Sequence, residues 1–361
     1  MDRKGWRNFD FVLLAVTMLL IAFGIAMIYS ATLDTPDLQD LPLRQAVWTL
    51  MGLVLLLLVA AIDYRFLESL QKPLYALTIA SLLLVLLVGK TTYGAQRWIS
   101  GTSFQPSELA KVLIIVTLAQ FLAQHEKDIG RFRYILVSII FVAVPMALIY
   151  LQPHLGTVIV LAVVWLAMVL MAGMRLLHLS IMGLAGLLAT PLIWFSLKDY
   201  MRDRLLLFIN PAQDPSARYN IDQALISIGS GGWLGKGYAS GSQSQLHFLR
   251  VRHTDFIFSV IGEEMGLVGT LVLFTLVGVI LWRIIRAASL ARDSFGRLIA
   301  CGVAAMIFFQ SVVNIGMNLG LLPVMGIPLP FISSGGSSLI ALLIAEGLVQ
   351  SVVMRYRKIE F

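Results

Sequence analysis

The sequence predicts an all-α integral membrane protein, a bundle of about ten transmembrane helices with a large extracytoplasmic loop between the seventh and the eighth. Three observations carry this expectation. Apolar residues make up 58% of the chain and charged ones only 13%, where a soluble domain holds about 25% charged. Ten apolar runs are long enough to cross roughly 30 Å of hydrocarbon. Lysine and arginine fall very unevenly between alternate connections.

The runs cover residues 9–31, 45–62, 73–88, 106–123, 134–151, 156–172, 176–197, 256–284, 298–322 and 334–354. The first follows a basic start, but it is about as long as a full span and is expected to be a retained helix rather than a cleaved signal. With an even number of spans both termini lie on one side. The N-terminus and the connections on its side hold sixteen lysines and arginines, whereas the short connections opposite hold only Arg44, Lys90 and Arg97. Basic residues are retained on the cytoplasmic side, so both termini are expected there and the loop of 198–255 lies outside. The net charge of +7 then follows from topology and points to no nucleic-acid partner. Nucleotide-driven chemistry is disfavoured, because ATP and NAD are scarce beyond the membrane. Cys301 is the only cysteine, which rules out an intrachain disulfide.

The outer loop has two parts. From 198 to 223 it is charged and carries turn signals at Asn210-Pro211 and Asp214-Pro215. From 224 to 248 it is rich in glycine, with six glycines between Gly229 and Gly241. That density argues against a helix, and non-helical backbone at membrane depth is tolerated only where protein buries it or it lines a wet cavity. A groove is therefore expected here, and the uncharged stretch 323–338 is expected against the same cavity. One integral domain over 1–361 is the simplest organisation.

Within this frame a few polar residues invite a chemical reading. Residues Gly231 to Gly237 look superficially like a phosphate loop, but that motif would need a glycine at Ser230 and a hydroxyl at Gly237. The five histidines show no metal-ligand spacing, so no metal centre is expected. Asp255 precedes an apolar helix; it reads either as a carboxylate stabilised by the helix dipole or as a general base whose pKa burial raises. Glu263 and Glu264 lie two turns deeper, and at least one must point into the bundle. Glu108 and Lys111 share a helix face at i, i+3, either as a structural ion pair or as part of the cavity lining. Arg202, Arg204, Arg218, Lys236, Arg250 and Arg252 give the loop a basic lining, most of it solvated unless two or three side chains converge on a diphosphate.

Several motifs in order resemble one family across essentially the whole chain. They are Arg97-Trp98-Ile99, QPSELAK from Gln105 to Lys111, Asn210-Pro211 with Asp214-Pro215, Ile228 to Gly232, HTDFIFSVIGEEMG from His253 to Gly266, and GIPLPFISSGGSS from Gly326 to Ser338. The set is similar to the SEDS family of shape, elongation, division and sporulation proteins. Gly235-Lys236-Gly237 with Gln243 to Leu246 resembles its elongation branch more than its division branch, which is the alternative.

The resemblance implies a peptidoglycan glycosyltransferase that polymerises lipid II on the outer face of the bacterial cytoplasmic membrane, among membrane lipids, with a class B penicillin-binding protein as partner. It implies that Asp255 is the essential acid and that Glu108 and Lys111 occupy functionally important positions. Lys236, Arg202, Arg204, Arg218, Glu263, Glu264 and Ser334 are the expected supporting or substrate-binding residues. The leaving diphosphate needs positive charge from the loop arginines, from Lys111 or from a divalent cation, magnesium or manganese. The chain departs from the family at His154, where aspartate is usual, at Arg250, where proline is common, and at Ser334, where tyrosine is usual. A lipid II flippase or a non-enzymatic scaffold remains the rival reading.

Overall fold

A computed structural model of the chain describes residues 6–92, 95–99, 104–210, 215–246, 248–249 and 252–356. In chain order the main helices are α1 (Phe11–Thr32), α2 (Leu41–Ala61), α3 (Gln71–Val88), α4 (Pro106–Gln124), α5 (Phe132–Leu151), α6 (Leu155–Met171) and α7 (Leu176–Ser196), then α8 (Asp199–Ile209) and α9 (Pro215–Gly231) in the long loop, then α10 (Ile257–Leu290), α11 (Ser294–Asn318) and α12 (Gly336–Met354). Among the described residues eight helices are long and apolar enough to span a membrane, and the shorter apolar helices α6 and α7 complete the ten expected runs. The protein is a multi-span membrane protein.

Local chemistry sets the helix boundaries. The Asp10 carboxylate accepts from Leu13 N at 2.9 Å and caps α1, and Asp293 caps α11 through Gly296 N at 2.8 Å. α4 begins at Pro106, where the missing N–H costs nothing because no intrahelical partner exists there.

Three features add to the sequence expectation. A two-stranded antiparallel hairpin, β1 (Gly89–Thr92) with β2 (Ala95–Ile99), joins α3 to α4. The charged first half of the outer loop forms α8 and the start of α9; residues 211–214, where the predicted turns fall, and Arg250 lie outside the described residues. The expected loss of helix from Gly229 onward is corrected, because α9 continues through Gly229 to Gly231. Packing overrides propensity there: a Cβ on Gly231 would lie 1.9 Å from the Gly262 carbonyl oxygen, so only a bare backbone lets α9 press this closely on α10.

α4, α11 and α12 are the most buried spans. α7 is the reverse: Leu187, Leu192 and Phe195 are 69%, 75% and 76% exposed, as lipid-facing residues must be. The chain between α11 and α12 is not helical. It lies between α1 and α6, so close that Cβ atoms on Gly24 and Gly156 would meet the Ile332 backbone and the Met325 oxygen at 2.8 Å. Irregular backbone is thus enclosed in protein, the condition under which a membrane tolerates it.

The two glycines of α9 should respond oppositely to alanine. Nothing lies within 4 Å of a Cβ at Gly229, so Gly229→Ala should stabilise by about 0.4–1 kcal/mol through the unfolded chain. Gly231→Ala should destabilise by about 1–3 kcal/mol through overpacking. Thermal unfolding of the two purified variants in detergent reads the difference, and equal midpoints would contradict the packing described.

Candidate active site

α10 breaks at Gly266, whose backbone (φ 62°, ψ −156°) is not helical. A break inside a membrane frees carbonyls on one side and N–H groups on the other, each costing several kcal/mol if left unpaired in hydrocarbon. The glycine-rich segment after α9 pairs them. Lys236 N and Gly237 N donate to the Glu263 and Glu264 carbonyls at 2.9 and 3.0 Å, while Leu267 N and Val268 N donate to the Gly232 and Trp233 carbonyls at 2.9 and 3.1 Å. The predicted groove at this segment is therefore a graft onto α10.

The two glutamates just before the break fasten the same graft. Glu263 is fully buried, and its Oε1 accepts from Lys236 Nζ at 2.9 Å, Gln243 N at 2.9 Å and Ser242 Oγ at 3.2 Å. Glu264, also buried, accepts from Ser30 Oγ of α1 at 2.6 and 2.7 Å and from Ala239 N at 3.2 Å. Both carboxylates turn inward, and Lys236 is an ion-pair partner rather than a free cation.

Asp255 lies about two turns upstream of these glutamates, half-buried just ahead of α10. Three successive carbonyls are gripped from elsewhere. Ser334 N donates to the His253 oxygen at 3.0 Å, Ser333 Oγ to the Thr254 oxygen at 2.7 Å, and Asn314 and Asn318 of α11 to the Asp255 oxygen at 3.1 and 2.9 Å. Asn318 also accepts from Ser259 Oγ at 2.6 Å, and Asn314 donates to the Ile327 carbonyl at 2.9 Å. The Asp255 carboxylate itself faces Gly326, whose Cβ position lies 3.8 Å from Oδ2. The clamp fixes the backbone on which the Asp255 carboxylate stands.

The basic residues separate by their partners. Arg202 donates to the Trp194 and Phe195 carbonyls at the end of α7, at 3.0 and 2.6 Å. Arg218 pairs with Asp222 at 2.9 Å in an exposed bridge, a kind worth little. Arg252 is buried, held by the Ala31 carbonyl and by Thr35 Oγ1. Arg204 has no carboxylate partner among the described residues; it reaches the Val324 carbonyl at 3.3 Å, two residues from the Gly326 that faces Asp255. It lines a cavity of about 20 Å³ with Pro153, Leu155, Pro323 and Met325.

Glu108 and Lys111 form a buried ion pair of 2.8 Å in the first turns of α4. That end of α4 is tied to the start of α12 by Gln105 N donating to Ser337 Oγ at 2.8 Å. His154 occupies the N-cap position of α6 without a side-chain cap bond, its Nδ1 lying 2.5 Å from Thr157 Oγ1. Among the described residues no group of three His, Cys, Asp or Glu side chains could hold a metal.

Sequence reasoning missed Asn314, Asn318, Ser333 and Gln45. Gln45 of α2 donates to the Ser333 carbonyl and accepts from Gly335 N, at 3.4 and 3.2 Å. The signal was present: asparagines at i, i+4 in an otherwise apolar span are expensive in lipid and must bond inside the bundle.

A family profile described as "Cell cycle protein", covering FtsW, RodA and SpoVE, matches residues 10–358. The peptidoglycan glycosyltransferase MrdB of Escherichia coli K12 is 38% identical over 356 residues, 96% of this chain and 93% of MrdB. A probable peptidoglycan glycosyltransferase FtsW of Geobacter sp. M18 is 36% identical over 97% of this chain and 98% of its own. Among solved structures, one of a peptidoglycan synthase complex that coordinates polymerization and crosslinking superposes with a TM-score of 0.82 at 34% identity, over 96% of this chain and 97% of that one. The rod shape determining protein RodA of Thermus thermophilus superposes with a TM-score of 0.73 at 33% identity, over 97% and 98%.

Two measurements check this geometry. Asn318→Leu removes the shorter clamp on the Asp255 carbonyl and should lower stability by about 1–3 kcal/mol, the cost of a buried unsatisfied group, read as a lower unfolding midpoint. His253, next to the clamp, has its pKa pushed below the usual 6.5, first by burial and then by the Arg252 charge. The unfolded chain therefore takes up the proton first, and stability should be intact above about pH 6.5 and decline as pH falls below it. A His253→Gln variant should lose that part of the slope between pH 7 and 5.

Proposed function

The chain belongs to the FtsW, RodA and SpoVE family of cell cycle proteins, the SEDS family, and from that premise we propose that it polymerises lipid II with Asp255 as general base. It is a peptidoglycan glycosyltransferase of a bacterial membrane, like the relatives it matches along its length. The observation that carries the catalytic reading is the arrangement at Asp255: three carbonyls clamped by α11 and by the 323–335 segment, and a half-buried carboxylate beside Gly326.

The reaction is an inverting transfer. Asp255 takes the proton from the acceptor's sugar hydroxyl, whose oxygen attacks the donor's anomeric carbon as the bond to the lipid diphosphate breaks on the opposite face. Base and leaving group therefore stand on opposite sides. A rigid backbone beneath the carboxylate suits that task, since proton transfer needs the base held within hydrogen-bond reach.

The leaving diphosphate needs a cation with charge to spare. Lys236, Lys111 and Arg218 each have a carboxylate of their own, and Arg202 serves the end of α7. Arg204 is the loop arginine that joins an unneutralised guanidinium to proximity with the Asp255 neighbourhood, so it is assigned to the diphosphate. A magnesium or manganese ion would serve the same end. The outer face of the membrane is the reacting side, both termini lie in the cytoplasm, the whole of 1–361 works as one domain, and a class B penicillin-binding protein crosslinks the product. The solved complex that couples polymerization to crosslinking supports that partnership.

Incubation of the purified protein and its partner with lipid II tests the assignment. Asp255→Asn should reduce glycan-chain formation by about 10²–10⁴-fold, the typical contribution of a general base. Its unfolding midpoint should hold, because the clamp on the Asp255 carbonyl is unchanged. Undiminished polymer would end the proposal. Arg204→Ala should lower turnover by about 10²–10³-fold; full activity would assign the diphosphate to another cation.

A further inference from the structure

At the end of the bundle opposite Asp255 lies a second polar cavity, of about 200 Å³, where the start of α1 meets the ends of α10 and α12. Arg7, Asn8, Asp10, Arg283, Arg286 and Tyr356 supply its polar lining. Three guanidinium groups face one carboxylate, and that carboxylate is already committed. Asp10 binds Arg283 through both oxygens, at 2.6 and 2.7 Å, and also caps α1. Arg7 and Arg286 are exposed and form no ion pair among the described residues. Among the described residues the cavity therefore carries two uncompensated positive charges.

Its depth is fixed by its neighbours. Phe11, Trp282 and Ile285 are 66%, 58% and 59% exposed on the outer faces of α1 and α10, positions that contact lipid, and Arg283 stacks on the Trp282 ring at 5.7 Å. Tryptophan marks the headgroup level of a bilayer. The opening thus sits where phosphates are, with apolar side chains leading from it toward the hydrocarbon.

We propose that this cavity binds the phosphate of an acidic phospholipid from the leaflet bordering this end of the bundle. Arg7 and Arg286 provide the charge, and the Asp10–Arg283 pair forms the floor. The acyl chains run outside, along Phe11 and Ile285. Basic pockets between membrane helices hold anionic headgroups in this way. Size decides against a nucleotide: 200 Å³ is below the roughly 300–1,000 Å³ of pockets that enclose drug-sized molecules. The site is independent of the chemistry assigned to Asp255, and it would hold whichever residue were the base.

Native mass spectrometry of the full-length protein, offered equal amounts of phosphatidylglycerol and phosphatidylcholine with matched chains, tests it. The wild type should retain phosphatidylglycerol selectively. Arg7→Ala and Arg286→Ala should each weaken that retention about fivefold, and the double variant about 25-fold if the effects add. Arg7→Gln and Arg286→Gln, which keep a polar side chain, should give the same ranking and guard against misfolding. Unchanged selectivity in the double variants would overturn the proposal. So would displacement of the lipid by inorganic phosphate at equal concentration, because the site would then serve a soluble anion.

Discussion

The break in α10 at Gly266 is the constraint on which the Asp255 half of the molecule depends. A membrane span cannot be interrupted unless its freed carbonyls and N–H groups find partners, and here the four come from one short segment, Gly232 to Gly237. The segment must reach the break as bare backbone, since Cβ atoms at Gly235 and Gly266 would come within 2.1 and 2.4 Å of the opposing chain. Both glycines have positive φ, so the sequence is matched to its task in conformation as well as in volume.

Charge completes what the backbone begins. Buried carboxylates are expensive alone, and Glu263 and Glu264 are tolerated because the grafted loop supplies an ammonium, two backbone N–H groups and a hydroxyl, while α1 supplies Ser30. The loop is thereby fixed to two spans at once. Asp255 stands just upstream on the same rigid unit, and α11 and the 323–335 segment grip it from the other side. An aspartate placed this way has its position fixed through its backbone carbonyl, and a positioned side chain is what proton transfer requires.

The two ends of the bundle divide their positive charge differently. At the Asp255 end Lys236, Lys111 and Arg218 are neutralised by carboxylates, whereas Arg204 bonds only the Val324 carbonyl among the described residues, beside the Asp255 neighbourhood. At the other end Asp10 absorbs only Arg283. One arrangement suits a diphosphate that must arrive and leave, the other a lipid that stays.

The sequence by itself determined the ten spans, the uneven distribution of basic residues and the position of Asp255 ahead of the eighth span, because hydrophobic length, charge and motif order are properties of the linear chain. It also required at least one of Glu263 and Glu264 to point into the bundle, since adjacent carboxylates cannot both face lipid. Their role was legible only in three dimensions. Lys236 to Glu263 is a pairing across 27 residues, and Ser30 to Glu264 one across 234, which no local pattern encodes. The same holds for the asparagine clamp from α11 and for the helix that continues through Gly229 to Gly231. In each case a close approach between distant segments outweighed local propensity, and only the tertiary structure brings those segments together.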